Sequence, residues 1–173
     1  TGTERLPLAR WVRGHQVFVA LTQGLVFAFR AMATAVKGGE TADVARWADL
    51  AISLLDGSTA TFEFTGDFSP EEYTDLVRPS MMPPRTPFCL SGMMSVDHRY
   101  FVTVVRDMKP ALKALHAMDS DRHMRIAGAL RSVYDSHIHT CERFVGNQPS
   151  IMTEGKTEKS GISLLEHFKT IRL

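Results

Sequence analysis

The chain has 173 residues, 44% of them hydrophobic and 23% charged, with a formal net charge of +1. This length suits one domain around a single sizeable core, and the composition excludes a disordered chain. With so little net charge and no basic run, nucleic acid is not the expected partner.

Residues 8–36 read as one long helix, because Val17, Leu21, Leu25, Phe29, Met32 and Val36 recur at three- and four-residue spacing. The apolar stretch at 17–33 is interrupted by Gln23, Gly24 and Arg30, so no membrane span is expected. Gly38-Gly39 ends this helix, and Thr41 is the expected cap of a second one running to residue 55. Val44, Trp47, Ala48, Ala51 and Leu54 form its apolar side, so the pair predicts an antiparallel hairpin. Ser69-Pro70-Glu71-Glu72 is a helix start: Ser69 caps, Pro70 suits the first position and Glu72 completes a capping box. Pro79 keeps that helix short, and the proline-rich 79–87 reads as a loop of fixed path. Ser91 or Ser95 caps the next helix, which ends near residue 105. Pro110 starts a short one, and Ser120 caps the helix that carries His137. Residues 147–160 read as a loop and 161–173 as a final amphipathic helix. With no convincing strand and no repeat, the expected class is all-α, one domain over 1–173. The start Thr1-Gly2-Thr3 lacks an initiator Met, which leaves room for residues upstream. Two cysteines, Cys89 and Cys141, make no disulfide framework, and no signal peptide is visible. A cytoplasmic setting is expected.

Chemistry concentrates at His137-Ile-His-Thr-Cys141. Residues four apart on a helix share a face, about 6 Å apart along the axis. Such a face can serve a haem: His137 gives a nitrogen to iron and the Cys141 thiol adds to a porphyrin vinyl group. Plain packing is the alternative. The Cys-x-x-Cys-His signal is absent, so any covalent link is of another kind. His15 is either a proton-transfer group or a half-buried helix-start histidine. Arg78 is either a carboxylate clamp or a cation at a helix C-terminus. Between Ser91 and Arg99, Asp97 can orient a histidine, His98 can face iron and Arg99 can meet a haem propionate; capping and surface charge account for the same residues. His116, His123, His139 and His167 read as surface or packing residues, and nothing has zinc-ligand spacing.

Together these pieces resemble the tryptophan 2,3-dioxygenase superfamily of histidine-ligated haem enzymes. His15-Gln16 is similar to the start of that family's distal helix. Ser69-Pro70-Glu71-Glu72-Tyr73 is similar to its Thr-Pro-x-Asp-Phe. Ser91-Gly92-x-x-Ser95 with Arg99 is similar to its Ser-Gly-Phe-Gln-Ser-x-x-x-Arg. His137, Glu142, Arg143 and Gly146 follow its His-x-x-x-Val-Glu-Arg-x-x-Gly. The distal helix departs from the pattern at Val19, Leu21 and Gln23. The family's carboxylate-binding arginine falls at Val77, one position before Arg78. His98 followed by His137-x-x-x-Cys141 most resembles the 3-methyl-L-tyrosine peroxygenase branch, with its His-x(n)-His-x-x-x-Cys motif.

The resemblance implies a helical haem protein that uses hydrogen peroxide to hydroxylate 3-methyl-L-tyrosine beside its phenol, in natural-product biosynthesis. His137 would ligate iron, with an anionic partner on its other ring nitrogen. Cys141 would tether the porphyrin, with Ser91, Gly92 and Arg99 also on the cofactor. His98 would be a second ligand or a pocket residue. His15 would move a proton and Arg78 would hold the substrate carboxylate. A homodimer is expected on the same basis. An indole oxygenase using oxygen, a non-catalytic haem carrier and a haem-free helical domain are the alternatives.

Overall fold

A computed structural model describes residues 5–90 and 94–146. Seven helices carry them: α1 (Arg5–Gly38), α2 (Thr41–Thr65), α3 (Pro70–Glu72), α4 (Arg78–Ser80), α5 (Val96–Asp107), α6 (Lys109–Met118) and α7 (Ser120–Phe144), with a π turn at Tyr73–Val77 joining α3 to α4. No strand occurs among the described residues, so the chain is all-α as expected. The expected helix at 161–173 lies outside the described residues.

α1 and α2 form the predicted hairpin. Gly39 takes φ +72° at the corner, a value that favours glycine, and the Glu40 N–H donates to the Ala35 carbonyl at 3.0 Å. Glu40, not Thr41, holds the N-cap position of α2, and no side chain bonds there. α2 runs to Thr65, well past the expected end. Its second half is rich in hydroxyls, and these bond back one turn: Ser58 to the Leu54 carbonyl, Thr59 to Leu55, Thr61 to Gly57 and Thr65 to Thr61. Groups that compete with a helix when free are here absorbed into it.

The main core lies between α1, α2 and the α5–α7 helices. Ala28, Met32, Ala48 and Ala51 are fully inaccessible, and Leu25, Phe29, Leu55, Leu115 and Ile126 pack around them. Small residues on both helices of the hairpin allow close approach. By length and apolarity α1 meets the requirement for crossing a membrane, with mean hydropathy 1.5, so Gln23, Gly24 and Arg30 do not disqualify it. Its stripe from Leu25 to Ala35 nevertheless faces this core.

The capping box at Ser69 forms as read: Glu72 N–H donates to Ser69 Oγ at 3.1 Å and Ser69 N–H to the Glu72 carboxylate at 2.8 Å. Pro79 does not stop this helix; it sits inside α4, and the chain turns at Met81. The following loop holds a cis Pro83–Pro84 bond and is pinned where the Leu90 N–H meets the Met81 carbonyl at 2.9 Å. Ser95 caps α5 by accepting from the His98 N–H at 3.3 Å. α6 starts at Lys109 with Pro110 in its first turn, one residue before the expected start, whereas Asp119 rather than Ser120 caps α7, accepting from the Arg122 N–H at 3.0 Å.

A second, smaller cluster packs Phe68, Tyr73, Val77 and Phe144 with Leu8 and Trp11. It joins the start of α1, the π turn and the end of α7.

Candidate functional site

Three of the histidines singled out in the sequence converge. On α7, His137 stacks on Phe62 of α2, with ring centroids 4.9 Å apart and planes 26° from parallel. Phe62 meets Phe18 of α1 edge-on at 5.8 Å, and Phe18 meets His98 of α5 at 6.3 Å. Burial pushes the His137 pKa down to about 4, and the charges His98 and His15 would carry push the same way. His137 is therefore neutral at neutral pH, with a ring nitrogen free to bind a metal.

His15 is exposed, and its Nδ1 lies 2.8 Å from the Trp11 carbonyl one turn back. The Trp11 ring covers it at 4.5 Å. Gly14 fixes this stretch of α1 against α2: a Cβ there would fall 1.8 Å from Thr65 Oγ1.

Cys141 lies one turn beyond His137. Burial raises its pKa to about 11, with Glu142 adding to the effect. At neutral pH it is a thiol, which can add to an alkene but is a poor iron ligand. Beside it stands Tyr73, only 4% exposed, its pKa raised first by burial and opposed by the charge and hydrogen bond of Arg78. Cys141 also acts on Tyr73, so Tyr73, Arg78 and Cys141 are neighbours. Nη1 of Arg78 is buried with no hydrogen-bond partner among the described residues. A buried donor left unpaired is costly, and a carboxylate is among the strongest acceptors a guanidinium N–H can meet.

The frame around this group is aromatic. Phe144 stacks on Tyr73 at 4.8 Å and on Phe68 at 5.0 Å, and Trp11 meets Tyr73 edge-on at 5.8 Å. Arg143 donates to the carbonyls of Gly66 at 2.9 Å and Phe68 at 2.7 Å, clasping the end of α7 to the α2–α3 connection.

The sequence profile of the SfmD 3-methyl-L-tyrosine peroxygenases matches residues 2–123. The chain belongs to that family. The 3-methyl-L-tyrosine peroxygenase of Streptomyces lavendulae is 34% identical over 167 residues, covering 96% of this chain and 46% of that protein. The crystal structure of reduced SfmD, obtained by soaking with sodium hydrosulfite, superposes with a TM-score of 0.66 at 33% identity, over 78% of this chain and 44% of that one. The chain thus spans about half the length of the relatives it matches.

In this peroxygenase-family chain the remaining sequence candidates are scattered. The Asp97 carboxylate accepts from Gln23 Nε2 at 3.3 Å. Arg99 is exposed on the first turn of α5. Ser91, Gly92 and His167 lie outside the described residues. His116 and His123 pack on each other at 4.8 Å, as packing residues would. His139 turns to a different stripe of α7 from His137 and lines a groove of about 640 Å³ with Phe62, Asp135 and Arg143. That groove holds none of the three converging histidines. Among the described residues no three His, Cys, Asp or Glu side chains could together hold a bare metal ion. Sequence reasoning missed Trp11, Phe18, Phe62 and Tyr73. The one available signal was Trp11 at four residues from His15, the spacing of a shared helix face.

Proposed function

We propose that this chain carries the haem centre of a peroxygenase that hydroxylates 3-methyl-L-tyrosine beside its phenol, giving 3-hydroxy-5-methyl-L-tyrosine and water from hydrogen peroxide. The observation that carries this is the convergence of neutral His137 with His98, one turn from the buried Cys141 thiol. One or two imidazoles, an alkene-reactive thiol, aromatic walls and an orphaned guanidinium suit a porphyrin and an amino acid; they do not suit a bare ion.

His137 would hold the iron through a ring nitrogen that burial keeps unprotonated. Cys141 would tether the porphyrin by adding its S–H across a vinyl group, which leaves a thioether and no change in electron count. His98 would be a further iron ligand or a wall of the pocket. When bound, the haem supplies O–O cleavage and delivery of one oxygen atom to the ring. Exposed His15 passes a proton between solvent and peroxide or phenol. Arg78 Nη1 takes the substrate carboxylate, and Arg99, with Ser91 and Gly92, takes the propionate side. The two free cysteines accord with a reducing, cytoplasmic setting. A homodimer completes the reading, with the small net charge giving no purchase to nucleic acid.

The test is a denaturing gel stained for haem, with intact mass, on wild type and Cys141→Ala. Wild type should keep one porphyrin on the gel, and the variant should bind haem that acid-acetone extracts. Haem lost from both would remove the thioether, and a colourless protein would end the proposal. Product from 3-methyl-L-tyrosine and peroxide without reductant would exclude an oxygen-dependent indole oxygenase.

A further inference from the structure

Phe62 lies past the expected end of α2, and its ring is the one against His137. The centroids are 4.9 Å apart and the planes 26° from parallel, so a face of the imidazole lies along a face of the phenyl ring. A stack of this kind sets the plane of an imidazole and engages neither nitrogen. A hydrogen bond to the second ring nitrogen, the more common device beside a metal, sets plane and tautomer together.

Phe62 has little freedom of its own. Phe18 of α1 meets it edge-on at 5.8 Å. The backbone beneath it is held from two sides. A Cβ at Gly14 of α1 would fall 1.8 Å from Thr65 Oγ1, so α1 and α2 are in close contact about one turn beyond Phe62. Arg143 of α7 donates to the Gly66 carbonyl at 2.9 Å, which ties α7 to the end of α2 within two turns of His137. The two stacked rings are therefore carried by helices whose spacing is fixed at this level.

An imidazole on a haem iron can turn about the iron–nitrogen axis, and its plane sets how the unpaired electron is spread over the porphyrin. Packing that locks a ligand's rotamer removes that freedom. We propose that Phe62 is a positioning residue for His137: its ring face holds the plane of the imidazole, in the free chain and when haem is bound. Phe18 backs it from α1. This rests on the assignment of His137 to the iron.

The experiment reads the haem methyl proton shifts of the ferric cyanide complex. Cyanide takes one axial position, so the spread of these shifts follows the plane of the single imidazole left. Wild type and Phe62→Tyr, which keeps the ring, should give one sharp set with the same order and spread. Phe62→Leu keeps apolar bulk and removes the ring face. It should narrow the spread or split the signals into several sets, with one haem still bound per chain. A second reading needs no haem: the Phe62 ring current shifts the His137 ring protons upfield in the free chain, and Phe62→Leu should return them toward the positions of an unstacked histidine. Ring protons that stay in place overturn the positioning role, whether or not the variant takes up haem. Ring protons that move beside an unchanged methyl pattern also overturn it, because the stack then has no hold on the bound ligand; in both cases the iron assignment stands. If His137→Ala keeps the wild-type methyl pattern, His137 is not the ligand, and the role of Phe62 falls with it.

Discussion

The two apolar clusters of this protein are built from different materials. The main core is mostly aliphatic and alanine-rich, with Ala28, Met32, Ala48 and Ala51 fully enclosed. The smaller cluster is mostly aromatic, and its members have polar edges or polar neighbours: the Tyr73 hydroxyl, Arg78, and Arg143 on the carbonyls of Gly66 and Phe68. Contact alone satisfies an aliphatic core. An aromatic cluster with polar attachments also fixes direction, which a binding site requires. Stability and orientation are thus assigned to separate ends of one helical bundle.

The largest test of that division truncates one residue in each cluster. Met32→Ala and Phe144→Ala should each cost about 2–5 kcal/mol in urea unfolding. Only Phe144→Ala should also weaken 3-methyl-L-tyrosine binding, because Tyr73 loses its stacking partner. Equal losses of affinity from the two variants would dissolve the distinction.

A comparable effect follows from pH. The folded His137 pKa is about 4, below its ordinary value near 6.5. Between those values the unfolded chain binds the extra proton, so stability is full above about pH 6.5 and falls as pH drops toward 4. In haem-free protein this amounts to up to about 3 kcal/mol. Urea midpoints at pH 7 and pH 4.5 should therefore fall more in wild type than in His137→Phe. Parallel falls would show that His137 is not desolvated in the folded state.

The smallest effect belongs to the capping box. Ser69→Ala should cost about 1 kcal/mol, read as a shifted midpoint, with haem binding retained. Loss of haem from this variant would show that the α3 start does more than hold its own helix.

What was legible in the sequence was local. The Ser69 box, the Ser95 cap and the Gly39 turn involve groups within a few residues of each other, so spacing reveals them. Thr41 and Ser120 misled because a hydroxyl beside an acidic residue leaves two candidates for one cap position, and only the backbone decides. The length of α2 was hidden by Ser58, Thr59 and Thr61, residue types that disfavour a helix interior until each hydroxyl is seen to bond within it. With α2 ended early, Phe62 had no helix to stand on and its stack with His137 was invisible. The π turn was hidden as well, because hydrophobic periodicity assumes an unbroken α-helix across Tyr73 to Arg78.

The Arg143 clasp joins atoms 77 and 75 residues apart, whereas α1 and α2 meet across a short corner. Joining ends so distant costs more chain entropy than closing a hairpin, and contacts of that kind form late and open early. The main core reaches as far along the chain, since Arg122 of α7 bonds Asp49 of α2 across 73 residues and Arg30 of α1 donates to the Tyr100 hydroxyl of α5 across 70. Both ends of the bundle are therefore fastened by equally distant contacts, and the α1–α2 hairpin is the part that sequence neighbours can close first.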